Sequence, residues 1–388
     1  MTIQTSRSGA RFLLALVLLV LTAALLTACG GDGDDSTSAS SAETGQTETA
    51  ETSSPGLEEA QKEVDAHIEP PSQIGPTEPV ENVPSGKNIV FSNCGVEGCV
   101  FTGEALTAAA DELGWNVETI DVEPTPQGIQ AFFKEAIRKK PDAVVSIGFP
   151  KAAFQRELAE LEKLDIPVVS TSSTDEPGEG IVAQVTSPDR SCEATELVGD
   201  KMVVDSGGEG TLGFVILTGY PIVEIYTECA IKTVEKRCPD CVIETLEVTP
   251  EQLGVDAAET IANWLRANPD IEAVFLSYDP MAKGLKTAVA NVGSDMPTLY
   301  SWSFSPEGLE ALRNGERKAA VSQDYATEGW QIAYVLSQVF TGGDPDPPWA
   351  PFTLWAKEFD NIPPDSPKYA IPPANPNFEE QFKELWGL

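Results

Sequence analysis

Pro141-Asp142-Ala143-Val144-Val145-Ser146-Ile147 opens on a proline and continues as a short run of β-branched and small apolar residues. That is the composition of a strand buried on both faces. Before it, Ile129, Phe132, Phe133, Ala136 and Ile137 recur at helical spacing. After it, Phe154, Leu158, Leu161 and Leu164 do the same, and Pro167-Val168-Val169-Ser170 repeats the strand. Strand and helix alternate with a period of roughly 25–30 residues, the size of a βα unit. The alternation predicts a parallel sheet with helices on both faces.

Outward from this stretch the grammar holds. Upstream, Asn88–Phe91 reads as a strand, followed by a helix striped by Phe101, Ala105, Ala109 and Leu113 and closed by Gly114. Downstream, a last strand ends at Val185, and after Pro188 a second series of similar length and grammar begins and runs to Val321. In it, one helix is expected from Ile225 and another from Met281. A chain of this length exceeds what one core usually organises. Two doubly wound, Rossmann-like α/β lobes in tandem are therefore predicted. The segment Thr327–Phe340, apolar on most of its surface, is expected to be a helix buried between other elements.

The N-terminus carries a different signal. Arg7 and Arg11 precede an apolar run from Phe12 to Leu26, and Leu26-Thr27-Ala28-Cys29 follows. A span needs about 20 apolar residues, so this shorter run suits the core of a cleaved secretory signal. Leu-Thr-Ala-Cys resembles the bacterial lipobox, which implies a signal peptide over 1–28 and lipidation of Cys29. Residues 29–56 are acidic and small, the composition of a flexible tether. Residues 57–85 carry a weak helical stripe and then Pro70, Pro71, Pro76, Pro79 and Pro84, expected to run extended along the outside of the folded body.

With 61 acidic against 25 basic residues the formal net charge is −36. Nucleic acid and anionic membrane surfaces, which demand basic patches, are thereby excluded as partners. Seven cysteines become six if Cys29 carries lipid, and an even count outside the cytoplasm favours disulfides. Fifteen pairings are possible; the closeness in sequence of Cys94 to Cys99 and of Cys238 to Cys241 favours those two bridges, which leaves Cys192 for Cys229. Cys238-Pro239-Asp240-Cys241 also has the spacing of a redox pair, but it follows a helix and precedes a strand, opposite the ligand loops. No metal site is expected, since the single histidine, His67, lies far from the cysteines.

Ligands of open parallel sheets bind beyond the strands' carboxyl ends. Here those positions include Asn93–Cys99, Gly148-Phe149, Ser170–Asp175, Thr218–Tyr226, Ser277–Asp279, Trp302–Ser305 and Gln323-Asp324. Five of the blocks around them, Pro141-Asp142-Ala143, Ile166–Val169, Phe275–Ala282, Ser305–Leu309 and Ala320–Gln323, resemble in order and spacing those of the type 1 periplasmic binding proteins, in the ribose-binding branch. The resemblance covers most of Lys87–Thr341. It implies two hinged lobes joined by three crossings, near Val185, after Gln323 and after Phe340. Lobe 1 would then be 86–187 plus 324–344, and lobe 2 188–323 plus 345–388. It also implies a monomeric receptor, not an enzyme, without cofactor, that delivers a small solute to an ABC permease.

The departures bear on the ligand. Where sugar-binding members place an Asp–Arg pair stand Ser172 and Ser173. Their arginine falls near Tyr226, their asparagine at Tyr278 and their aspartate near Ser303, while the glutamine is kept as Gln323. Without forked ionic groups the site favours a neutral solute, stacked by Tyr226, Tyr278 and Trp302 and oriented by Ser172, Ser303 and Gln323. A sugar, which also stacks on rings, is the alternative. Asn93 is a further candidate contact; Phe149 is either a contact or core. Asp279, before Pro280 and a helix, is expected to cap it. A ligand-sensing lipoprotein would need the same site. A secreted hydrolase lacks a histidine base within the lobes. The expected location is the outer face of the cell membrane, through the lipid anchor. Mass spectrometry of the membrane-bound protein should give the chain from Cys29 plus acyl groups; residues retained before Cys29 would refute the lipobox.

Overall fold

The computed structural model describes residues 54–388, so the signal-like run and Cys29 lie outside the described residues. After helix α1 (Pro55–Ala66) and an extended stretch, the first lobe runs β1 (Asn88–Asn93), α2 (Glu97–Glu112), β2 (Asn116–Asp121), α3 (Pro126–Lys139), β3 (Ala143–Ile147), α4 (Gln155–Lys163), β4 (Val168–Thr171) and β5 (Ile181–Gln184). The five strands are parallel in the order β2-β1-β3-β4-β5. Central β3 is buried along its whole length, as its apolar run requires, whereas edge strand β2 is largely exposed. Beneath the sheet, Phe133 of α3 stacks on Phe154 with ring centroids 3.7 Å apart.

The second lobe contains α5 (Pro188–Ser206), β6 (Thr211–Leu217), α6 (Pro221–Arg237), β7 (Val242–Val248), α7 (Ala257–Ala267), β8 (Ile271–Leu276), α8 (Leu285–Val292), β9 (Thr298–Trp302), α9 (Pro306–Asn314) and β10 (Ala319–Val321). The chain then forms α10 (Tyr325–Thr341), β11 (Leu354–Trp355) and α11 (Phe378–Trp386). Six strands follow the order β11-β10-β9-β8-β6-β7, with only β11 antiparallel. Proline in the first turn and a hydroxyl N-cap start α3, α5 and α9, with Thr125, Ser187 and Ser305 accepting from the backbone. Two helix starts differ from expectation. Helix α6 begins earlier, at Pro221, which moves Tyr226 into its second turn, and the stretch expected as a helix from Met281 is a short 3-10 turn, Asp279–Ala282, before α8.

In each sheet the order reverses once, between β1 and β3 and between β6 and β8. Chains leaving such neighbours diverge to opposite faces and open a crevice at their carboxyl ends. Three connections join the lobes: after β5, after β10 and after α10. The first and third are stitched together, for Trp349 Nε1 donates to Val185 O at 2.8 Å. Arg190 lies 3.6 Å from the centroid of the Phe352 ring and also bonds Ala350 O. Burial lowers its pKa to about 10, and it stays charged.

Two further connections were not expected. Ala60 and Val64 of α1 belong to the second lobe's core, while Ile74 and Val80, a few residues on, belong to the first lobe's. The N-terminal extension is thus a strap built into both lobes. Tyr334 Oη donates to Glu78 O at 2.8 Å and Val80 N to Leu385 O at 2.7 Å. Gly75, at φ +97°, passes so close to the third connection that a Cβ would sit 2.4 Å from Pro348 O. The C-terminal segment is the second correction. Of 345–388, β11 extends the second sheet, but α11 returns to lobe 1, where Trp386 stacks on Trp330 at 5.6 Å and Phe382 is fully buried. The cause is α10, whose apolar surface is covered by α2 on one side and needs α11 on the other.

If α11 is part of that core, Phe382→Ala should cost about 3–5 kcal/mol. Chemical denaturation followed by tryptophan fluorescence measures it. The same change at exposed Val255 should stay within about 0.5 kcal/mol.

Candidate functional site

The crevices of the two lobes face each other across a cavity of about 90 Å³. From lobe 1, the end of β1 and the first turn of α2 contribute Cys94, Val96, Gly98 and Cys99, while β3 and β4 bring Ile147, Gly148 and Ser172. From lobe 2, Tyr220 precedes α6, Tyr226 projects from its second turn, and Tyr278 and Trp302 stand at the ends of β8 and β9. Gln323 and Tyr325 come from the second connection. No Lys, Arg, Asp or Glu is among the lining residues.

Five of the residues predicted from sequence meet here: Ser172, Tyr226, Tyr278, Trp302 and Gln323. The others turn away. Ser173 is buried in lobe 1, where its Oγ meets Ser170 Oγ at 2.7 Å and its carbonyl accepts from Gln184. Asn93 donates to Asp121 at 2.7 Å, outside the cavity. Phe149 fills the first lobe's core. Ser303 does not line the cavity either, but its Oγ lies 2.6 Å from Tyr325 Oη and so holds that ring in place.

Tyr220 and Tyr325 are wall elements that sequence reading did not single out, whereas the Cys94–Cys99 bridge lies in a ligand loop marked from sequence. Tyr220 sits in a loop position that had been marked, immediately before the proline that starts α6. Tyr325 follows the N-cap Asp324, whose buried carboxylate accepts from Thr327 N and Oγ1 and from Ala374 N. Burial raises the pKa of that acid. All three disulfides form: Cys94–Cys99, Cys192–Cys229 and Cys238–Cys241. The last lies between the end of α6 and the start of β7, at the end of the sheet away from the cavity. Among the described residues no cluster of His, Cys, Asp or Glu could hold a metal ion.

The rings are held neutral and in fixed orientations. Burial pushes the hydroxyls of Tyr226, Tyr278 and Tyr325 well above the usual phenol value. Tyr226 Oη donates to Ser277 O at 2.8 Å, and the Tyr226 and Trp302 rings meet with centroids 5.1 Å apart. Asp279 supports this wall in a way the expected cap does not describe. It is buried, with Oδ2 accepting from Ser305 N at 3.0 Å and Ser305 Oγ at 2.7 Å, and Oδ1 paired with buried Arg317. A Cβ on Gly308 would fall 2.1 Å from Asp279 Oδ2, so only glycine leaves room for the pair. The β9–α9 turn carrying Trp302 and Ser303 is anchored from behind by an ion pair rather than by ligand. Asp279→Ala, which strands a buried guanidinium, should cost about 3–5 kcal/mol of stability by equilibrium denaturation.

Comparison with known proteins agrees with this geometry. Residues 89–344 match the periplasmic binding protein domain family. A solute-binding protein of an ABC transporter from Bacillus halodurans, solved with bound myo-inositol, superposes with a TM-score of 0.62 at 21% identity, covering 71% of this chain and 96% of its own. An ABC sugar transporter subunit from Rhodobacter sphaeroides gives 0.61 at 22%, covering 71% and 99%. A periplasmic ribose ABC transporter protein from Conexibacter woesei gives 0.59 at 21%, covering 72% and 95%. No curated protein matches this chain in sequence.

Proposed function

Because this chain belongs to the periplasmic binding protein domain family, in its type 1, ribose-like branch, we propose that it is an extracytoplasmic receptor that closes on a small neutral solute and delivers it to an ABC permease. The observation that carries the reading is the cavity between the two switch points, walled by residues of both lobes and by no charged side chain. A ligand that touches both walls only when the lobes are together shifts the population toward the closed form, and no covalent chemistry is needed. Cys29 would carry the lipid that keeps the receptor at the membrane, with the acidic segment after it as tether.

The solute is sugar-like or a neutral aromatic or heterocyclic ring. Tyr220, Tyr226, Tyr278, Trp302 and Tyr325 offer faces for a flat guest. The bidentate grips that hold polyols and carboxylates are absent from the lining, and Gln323 with Ser172 supply its orientation. Whatever solute co-purifies with the protein from its native membrane should be identified by native mass spectrometry. Returned to the stripped protein, it should reduce the radius of gyration in small-angle scattering and raise the melting temperature. Trp302→Ala should abolish both effects. Scattering curves that do not change on adding a bound solute would refute closure.

A further inference from the structure

The hydrogen-bonding polarity of the cavity is imposed from behind, by Glu328. This side chain is fully buried in the first turn of α10. Its Oε1 accepts from Thr171 Oγ1 at 2.5 Å and Thr186 Oγ1 at 2.8 Å, and its Oε2 from Thr102 Oγ1 at 2.9 Å and Gln323 Nε2 at 2.7 Å. A carboxylate so placed only accepts, so the Gln323 amide has one admissible orientation, with its NH2 toward Glu328. The second N–H of that NH2 goes to Ser172 Oγ at 3.0 Å. Both amide hydrogens are consumed. Gln323 Oε1 is left without a protein partner at the cavity wall, as an acceptor. Ser172 Oγ, having accepted from Gln323, keeps its own proton to donate.

Three of the remaining hydroxyls are committed within the protein, and those of Tyr220 and Tyr278 belong to lobe 2 rather than to the connection. Tyr226 Oη is committed to Ser277 O, Tyr325 Oη to Ser303, and Ser191 Oγ to Ser187 O. The connection between the lobes thus presents an acceptor and a donor side by side, under a canopy of rings.

We infer that the cavity selects a planar, uncharged single ring bearing a cis-amide edge, its N–H donating to Gln323 Oε1 and its neighbouring C=O accepting from Ser172 Oγ. Lactams and nucleobase-type heterocycles share this edge. The inference rests on the solute-receptor reading and narrows its ligand class. A polyol is the poorer guest. Beyond Gln323, Ser172 and the hydroxyls of Tyr220 and Tyr278, its many hydroxyls would face rings, aliphatic side chains and a disulfide, and each one buried without a partner weakens binding. The small cavity, about 90 Å³, suits a guest of one ring.

Calorimetric titration of the full-length protein with uracil, δ-valerolactam, 1,3-dimethyluracil, xylose and myo-inositol tests this. Uracil and the lactam should bind, and 1,3-dimethyluracil, the same ring with its N–H groups blocked, should bind at least about tenfold more weakly, the size of a lost buried hydrogen bond. Ser172→Gly, which suits the residue's φ of +48°, should weaken uracil by a similar factor. Equal binding of uracil and its dimethyl derivative, or binding of xylose or myo-inositol without either amide, overturns the cis-amide class while leaving the receptor reading in place. No binding by any of the five also overturns it. The receptor reading itself falls only if the co-purifying solute produces no closure.

Discussion

A buried carboxylate held by three hydroxyls and an amide ties two of the connections between the lobes to the first lobe. Glu328 has no cation beside it among the described residues, yet it lies at zero exposure. Desolvating an isolated carboxylate costs far more than a fold can bear, so the four donors around it are a condition for α10 to sit where it does. They come from α2, the end of β4, the first connection and the second connection. Each charge-assisted bond is worth roughly 1.5–3 kcal/mol. Loss of one donor leaves the others in place but a lone pair buried dry. The node binds the connections to one another, and through Gln323 it reaches the ligand cavity.

The second lobe has an equivalent support of opposite construction. Asp279 and Arg317 are both nearly inaccessible and neutralise each other, with Ser305 taking the remaining carboxylate valence. A buried pair of this kind adds little net stability compared with packed apolar residues, but it fixes geometry. What it fixes is the turn that places Trp302 and, through Ser303, Tyr325. The cavity therefore has no charge in its wall and one charged node behind each side. Its rings and amide are preorganised by electrostatics that a solute never meets, which reduces the ordering left for the binding step to supply.

Much of the fold was legible because its signals are local. A βα unit announces itself within about 30 residues by a change of hydrophobic period, and Pro with Ser or Thr marks helix starts. The strap and α11 carry a helical stripe but no local signal of where they dock. Their residues are Pro-rich or form one short amphipathic turn, and where they dock depends on a second apolar face of α10 far away in sequence. The site was half legible for a related reason. Tyr278 and Trp302 were found because strand ends point to the cleft. Ser173 and Ser303 were misplaced because Ser172 and Ser303 adopt φ of +48° and +59°. A left-handed residue breaks the alternation on which the assignment of faces depends. Glu328 could not be found at all: Thr102, Thr171, Thr186 and Gln323 are ordinary residues until the fold gathers them.

The two extra connections change what hinge motion means for this chain. Three connections at one edge of a cleft define an axis, and lobes rotating about it are otherwise free. Here the strap at 67–80 and the segment 356–377 also run from lobe to lobe, and Gly75 lies against the third connection with no room for a side chain. Any rotation has to carry these segments along or peel Ile74, Val80, Phe378 and Phe382 from a dry core. Peeling even one such side chain costs about 1.5–3 kcal/mol. A cavity that offers a small neutral guest only stacking and two hydrogen bonds has little binding energy to draw on. Restricting the open ensemble covalently lowers the free energy that a bound solute has to supply to hold the lobes closed.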